Sequence, residues 1–242
     1  MNNKKIFEEY YYFIHLPKTG GTSFRNMLYK QFPQEVIYPN LKDITANGGR
    51  YPSHRDAIKT LKSGRNIQFL MGHYPFVIGE QLPKMPQHIV FLRDPIKRAI
   101  SNVYHLQHNN PNFKDVSAQA IIESAFPQVN NFQVRFMGDV RSRPDRLYTA
   151  ETKFGAKALI MAKKNLDACA FVGFTEHFKA SVKILEKKFD WKLGRKLKKN
   201  KTWQRREPIP DDALRKLIEF NQLDMELYNY AIEKYQSLIF PL

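Results

Sequence analysis

The stretch Tyr12-Phe13-Ile14-His15-Leu16-Pro17-Lys18-Thr19-Gly20-Gly21-Thr22-Ser23-Phe24 constrains this chain more than any other. The apolar, aromatic run from Tyr10 to Leu16 has the length and composition of a strand. Beyond the turn, Phe24, Met27 and Leu28 fall at helical spacing. A strand that breaks into a Gly-rich turn and then a helix aims several backbone N–H groups at one point, and the helix dipole adds about half a positive charge there. Such a point favours an anion. Gly20 and Gly21 let the backbone turn and come close to it. Lys18 supplies a full charge, while Thr22 and Ser23 supply hydroxyl donors. The pattern reads as a phosphate cradle; the plainer alternative is an ordinary Gly turn between two buried elements.

The common triphosphate loop, G-x-x-x-x-G-K-[ST], places its Lys after the last Gly. Here Lys18 precedes both glycines, so its ammonium approaches from the strand side.

A second strand-to-helix junction lies at Gln87-His88-Ile89-Val90-Phe91-Leu92-Arg93-Asp94-Pro95, with Ser101 further along. Ile89 to Leu92 reads as a buried strand. Asp94 can cap the following helix, and Pro95 suits its first position. Helix-start chemistry does not account for Arg93, a charge at the end of an apolar strand, where desolvation is costly unless it is paired. A guanidinium there can grip phosphate in a bidentate way. Ser101, two turns along, can donate to the same group.

Between the two junctions, Ile67 to Met71 reads as a strand that ends in Gly72-His73-Tyr74-Pro75. Ligands gather at the carboxyl ends of strands in open α/β sheets. His73 is therefore a candidate general base, the alternative being a His that merely caps a turn. His15, His54, His88, His105, His108 and His177 read as structural or solvated. His15 is placed to orient the cradle, and His105 or Glu80 is next in line as base.

Pro-Lys-Thr-Gly-Gly-Thr-Ser resembles the 5′-phosphosulfate loop of sulfotransferases that use 3′-phosphoadenosine 5′-phosphosulfate (PAPS). The likeness points to the carbohydrate group containing the heparan-sulfate 2-O-sulfotransferases and their bacterial relatives. Gly-His-Tyr-Pro-Phe matches the place of that group's catalytic His, and strand-Arg-Asp-Pro-helix-Ser is similar to its 3′-phosphate site. The resemblance implies a P-loop-like α/β fold with a central, mostly parallel sheet flanked by helices, in a single domain over 1–242. It implies PAPS as donor and 3′-phosphoadenosine 5′-phosphate (PAP) as product. Thr19, Gly20, Gly21, Thr22 and Ser23 would hold the 5′-phosphate with Lys18, and Arg93 and Ser101 the 3′-phosphate. His73 would be the base and Lys18 the stabiliser of the leaving oxygen. No metal is expected, because Lys18 and Arg93 neutralise the charge. Asn131, Gln133 and Arg135 fit an Asn-x-Gln-x-Arg stretch suspected of bordering the acceptor pocket, against which stands a solvated loop.

Composition sets outer bounds. The 242 residues suffice for one sizeable domain, and 43% apolar with 13% aromatic residues supports a packed core. Cys169, the one cysteine, excludes an internal disulfide framework and reads as a small buried hydrophobe. Lys and Arg exceed Asp and Glu by 39 to 23, a net +16, which attracts polyanions: an acidic glycan, nucleic acid or anionic lipid. A hydroxyl-bearing acceptor on an acidic glycan is expected, and nucleic acid is not. No run reaches the ~20 apolar residues that span a bilayer, and Met1 to Glu9 lacks a signal-peptide pattern. A soluble, cytoplasmic, bacterial enzyme is the expectation.

Elsewhere Leu41 to Arg50 reads as a loop, Ser53 as the cap of a helix to Ser63, and Val103 to Asp115 as a polar loop. Phe178 to Phe189 reads as an amphipathic helix. The basic segment 192–206 reads either as a solvated loop or as a flap over the nucleotide. Asp224 reads as structural, on a last long helix broken near Asn221. Two other function classes remain: a P-loop kinase or nucleotidase with Asp94 as its Mg²⁺ acid, and a non-enzymatic polyanion-binding protein.

Overall fold

A computed structural model of the chain describes residues 9–138, 153–194 and 208–239. Its strands are β1 (Tyr11–Ile14), β2 (Ile37–Tyr38), β3 (Phe69–Gly72), β4 (Gln87–Leu92) and β5 (Phe171–Phe174). Its helices are α1 (Gly21–Gln31), α2 (Leu41–Ala46), α3 (His54–Leu61), α4 (Pro95–Asn109), α5 (Ala118–Glu123) and α6 (Phe132–Met137). They continue with α7 (Lys153–Asp167), α8 (Phe178–Phe189), α9 (Asp211–Glu219) and α10 (Gln222–Ile239). The described residues fall into two compact units, 9–91 with 167–194, and 92–138 with 153–166 and 208–239.

The first unit is built on a five-stranded sheet in the order β2-β3-β1-β4-β5. β1 pairs in parallel with β3 (Ile14 opposite Gly72) and with β4 (Ile14 opposite Val90), and β2 pairs in parallel with β3. The fold is thus α/β with a parallel sheet flanked by helices, as the alternation of strand and helix signals predicts. All four residues of β1 are buried, which is why the strand reads as a continuous apolar run rather than an alternating one. Phe24 of α1 packs its ring 4.7 Å from Phe13 and 5.1 Å from Phe91, so the helix after the turn is pinned to the sheet. Phe178, first residue of α8, lies 5.2 Å from Phe91. Trp191 stacks on Phe189 at 4.8 Å and meets Tyr11 at 4.9 Å.

The second unit is helical. Ala99, Val103 and Leu106 of α4 pack with Ile121 and Ile122 of α5, Val129, and Ala213 and Leu217 of α9. Asp94 caps α4 by accepting from the Lys97 N–H at 2.8 Å, with Pro95 in the first turn, as the sequence predicts.

Three readings of the sequence change. Leu41–Ala46 is a helix, not a loop. Asn40 accepts from the Lys42 and Asp43 N–H groups while Asp43 accepts from the Asn40 N–H, a capping box that holds six residues with no buried apolar stripe to betray them. Residues 103–109 continue α4 instead of looping. Val103 and Leu106 extend the buried stripe, His105 and His108 lie on the exposed side, and Asn109, Asn110 and Pro111, which suggested a loop, only end the helix. Finally, 130–137 is not a solvated loop: Asn130, Asn131 and Gln133 are buried, and Phe132–Met137 is helical. Of the basic segment 192–206, residues 195–206 lie outside the described residues, as does the Arg141 to Arg146 stretch.

Candidate active site

In the first unit β1 runs straight into the predicted turn. Lys18 (φ 69°) and Gly20 (φ 81°) both take the left-handed conformation, which is uncommon for a lysine. Gly20 is the N-cap of α1; no side chain caps the helix, and no acid sits in its first turn. The first amides of a helix lack intrahelical partners, so this end presents donors and a positive dipole. A side chain at Gly20 would press on the Phe178 ring at 3.2 Å. One at Gly21 would fall 2.0 Å from Cδ2 of His15. The second glycine therefore exists to admit the His15 ring against the start of α1.

The members of the loop divide. Thr19 is fully buried and its Oγ1 donates to the Leu16 carbonyl at 2.9 Å, bracing the turn from inside. Its own carbonyl accepts from Oγ1 of Thr175 at 2.8 Å. Lys18, Thr22 and Ser23 are half-buried at the loop's open side.

His73, exposed beyond β3, donates from Nδ1 to the His15 carbonyl at 2.6 Å. A carbonyl only accepts, so Nδ1 carries the proton, and neutral His73 keeps its lone pair on Nε2. The parallel register that sets Ile14 opposite Gly72 brings these two strand ends together. The His15 and His73 rings lie 4.4 Å apart, and Tyr51 covers His73 at 4.7 Å. The Tyr51 hydroxyl is 3.0 Å from Nδ1 of His15 and accepts from Nη1 of Arg25 at 3.2 Å. Burial, reinforced by the neighbouring His73, Arg25 and Lys18, holds the His15 imidazole well below its usual range, so it stays neutral. Burial likewise pushes the Tyr51 phenol up.

In the second unit Arg93 and Asp94 follow β4, both half-buried, and Ser101 is half-buried on α4. Gln133 holds the Arg93 peptide: its Oε1 accepts from the N–H at 3.1 Å and its Nε2 donates to the carbonyl at 2.9 Å. Gln133 is itself fixed by buried Asp224, whose carboxylate accepts from the Gln133 and Val134 N–H groups at 3.0 and 2.7 Å. Asn131 returns the favour to α10 by accepting from the Asp224 N–H at 3.0 Å. Arg135 turns inward, with Nε on the Asn130 carbonyl at 2.9 Å. The Asn-x-Gln-x-Arg stretch is thus an internal truss. Burial raises the Asp224 pKa against the pull of Arg98. Arg98 is wholly buried; burial lowers it to about 10, it donates to the Gln128 carbonyl at 2.7 Å, and its charge lies 5.0 Å from the Phe132 ring. Tyr51, Arg25 and Arg98 were invisible to pattern reading because each acts through a contact distant in sequence.

Among the described residues no cluster of His, Cys, Asp or Glu is placed to hold a metal, and no helix is long and apolar enough to cross a membrane.

No family model matches the chain. Over 93% of its length, however, it is 26% identical to heparan-sulfate 6-O-sulfotransferase 1 of Cricetulus griseus and 25% identical to that of Homo sapiens. It is 24% identical, again over 93%, to human heparan-sulfate 6-O-sulfotransferase 3. The chain spans about two thirds of the length of the first two relatives, 67% and 65%, and 57% of the third. The chain is thus a relative of the heparan-sulfate sulfotransferases, the wider group that the motifs resemble.

Proposed function

We propose that this relative of the heparan-sulfate sulfotransferases transfers the sulfuryl group of PAPS to a hydroxyl of an acidic carbohydrate, with His73 as general base. The observation that carries the proposal is the Nδ1–H···O=C bond from His73 to His15. It fixes the base tautomer on the residue that leads into the anion-favouring turn, and a positioned base of this kind contributes roughly 10²–10⁴-fold to rate.

PAPS, when bound, supplies a sulfuryl group on a good phosphate leaving group. The turn fits such an anion: an uncapped α1 N-terminus, no first-turn acid, and Lys18 alongside. Nε2 of His73 takes the acceptor proton as the hydroxyl oxygen bonds to sulfur and the sulfur–oxygen bond to phosphate breaks. The Lys18 ammonium, the amides of Gly20, Gly21 and Thr22 and the hydroxyl of Ser23, whose own N–H is taken by the Gly20 carbonyl at 3.0 Å, meet the charge gained by the departing oxygen, as donors do in phosphoryl transfer. Thr19 contributes by bracing the loop. Arg93 and Ser101 are assigned the 3′-phosphate from their sequence pattern. The clamp on the Arg93 peptide fixes the backbone from which that side chain starts. A net charge of +16 suits an acidic glycan acceptor, and the relatives are named for heparan sulfate. A cytoplasmic setting and bacterial origin belong to the same proposal.

Incubation with sulfur-labelled PAPS and heparan-type glycans tests this. Label transfer to glycan, lost in His73→Ala, is the expected result. Mg²⁺-dependent turnover of ATP without transfer would favour the kinase alternative instead.

A further inference from the structure

We propose that His15 is a second working histidine of this site, a neutral donor whose Nε2–H joins the first amides of α1 in gripping the anion while neighbouring His73 keeps its Nε2 as base. The proposal rests on the reading above of the turn as an anion site.

The tautomer follows from the relay that leads into it. The guanidinium of Arg25 can only donate, so the Tyr51 oxygen accepts from it at 3.2 Å. The Tyr51 proton is then directed to Nδ1 of His15, 3.0 Å away. With Nδ1 accepting, the one proton of neutral His15 sits on Nε2. That atom lies against the start of α1: a Cβ built on Gly21 would stand 2.2 Å from it. Phe13 stacks on the ring at 5.4 Å, and only 4% of His15 is exposed, so the ring has little freedom to turn. Burial above all, then the neighbouring His73, Arg25 and Lys18, disfavours a second proton, consistent with a donor that stays neutral. Two neighbouring histidines, their rings tilted 42° to one another, thus carry opposite tautomers. His73 is protonated at Nδ1 because a carbonyl demands it, and His15 is assigned Nε2–H because the Tyr51 hydroxyl, already accepting from Arg25, keeps its proton to give.

Long-range ¹H–¹⁵N correlation of the imidazoles in the full chain, with and without saturating PAP, reads both points. Expected are Nε2–H at His15 and Nδ1–H at His73. PAP should move the His15 Nε2–H resonance together with the Gly21 and Thr22 amides. Tyr51→Phe should mix the His15 tautomers, leave His73 unchanged and weaken PAP roughly fivefold, the worth of about one neutral hydrogen bond. A proton on Nδ1 of His15 in the free protein overturns the proposal. So does PAP binding that moves the loop amides but not His15, which would leave the cofactor reading intact. If PAP moves neither, both readings fall together.

Discussion

Gln133 holds the peptide of Arg93 at both ends, accepting from its N–H at 3.1 Å and donating to its carbonyl at 2.9 Å. The clamp ties Arg93 to the first turn of α6, forty residues on, and Asp224 locks that turn from α10. If Arg93 reads a 3′-phosphate, Gln133 sets its aim without touching the ligand. Gln133→Ala should therefore weaken PAP several-fold while leaving adenosine 5′-phosphate nearly unchanged, the loss of two neutral hydrogen bonds being worth about 1–3 kcal/mol. Gln133→Glu keeps the acceptor but sets a carboxylate against the Arg93 carbonyl, and should be no better than Ala. Equal weakening of both nucleotides would mean that the clamp serves only the fold.

His73→Ala and Lys18→Ala should separate chemistry from binding. Each is expected to lower turnover at least 10²-fold, as removal of a base or a charge-stabilising donor does. Only Lys18→Ala should also weaken PAP strongly. Near-normal turnover in His73→Ala would move the base elsewhere.

Gly21→Ala should damage the site through packing. Its Cβ would lie 2.0 Å from the His15 ring, which Tyr51 and Phe13 hold in place. Overpacking of this kind costs about 1–3 kcal/mol, and the ring can yield only by disturbing the His73 support. Gly49→Ala is the control, since nothing lies within 4 Å of that position and only its positive φ opposes the change. Denaturant unfolding with PAP titration on both variants checks the contrast; matching stability losses with unimpaired binding would contradict it.

How far the sequence could be read depended on the range of the contacts. The strand, the left-handed Gly turn and the start of α1 were legible because local chemistry sets them, and so was Asp94-Pro95 at the head of α4. The capping box at Asn40 was equally local but lacked an apolar stripe. Long-range polar contacts were not legible. Gln133 on Arg93, Tyr51 on His15 and buried Arg98 depend on which segments the topology brings together. The Asn-x-Gln-x-Arg spacing suggested a border of the acceptor pocket, whereas Gln133 and Arg135 turn inward to peptide groups.

Acid should destabilise the fold through its buried imidazoles. Burial lowers His88 to about 4 and holds His15 well below 6.5, whereas in the unfolded chain both return to ordinary values. Between pH ~6.5 and ~4 the unfolded chain binds protons that the fold refuses, so stability falls as pH drops through that window. His88 alone accounts for on the order of 3 kcal/mol across it. His88→Phe, facing the Phe76 ring now stacked on His88 at 4.1 Å, should flatten the slope. Urea midpoints at pH 7 and 5 measure it, and an unchanged slope in the variant would discount His88.

Calorimetric titration of wild type and Arg93→Ala with PAP and with adenosine 5′-phosphate tests the two-phosphate claim most directly. The wild type should bind PAP at least tenfold more tightly, a difference of about 1.4 kcal/mol, and Arg93→Ala should erase that preference while keeping adenosine 5′-phosphate. A wild type that does not distinguish the two nucleotides, or a variant that loses both equally, would contradict it.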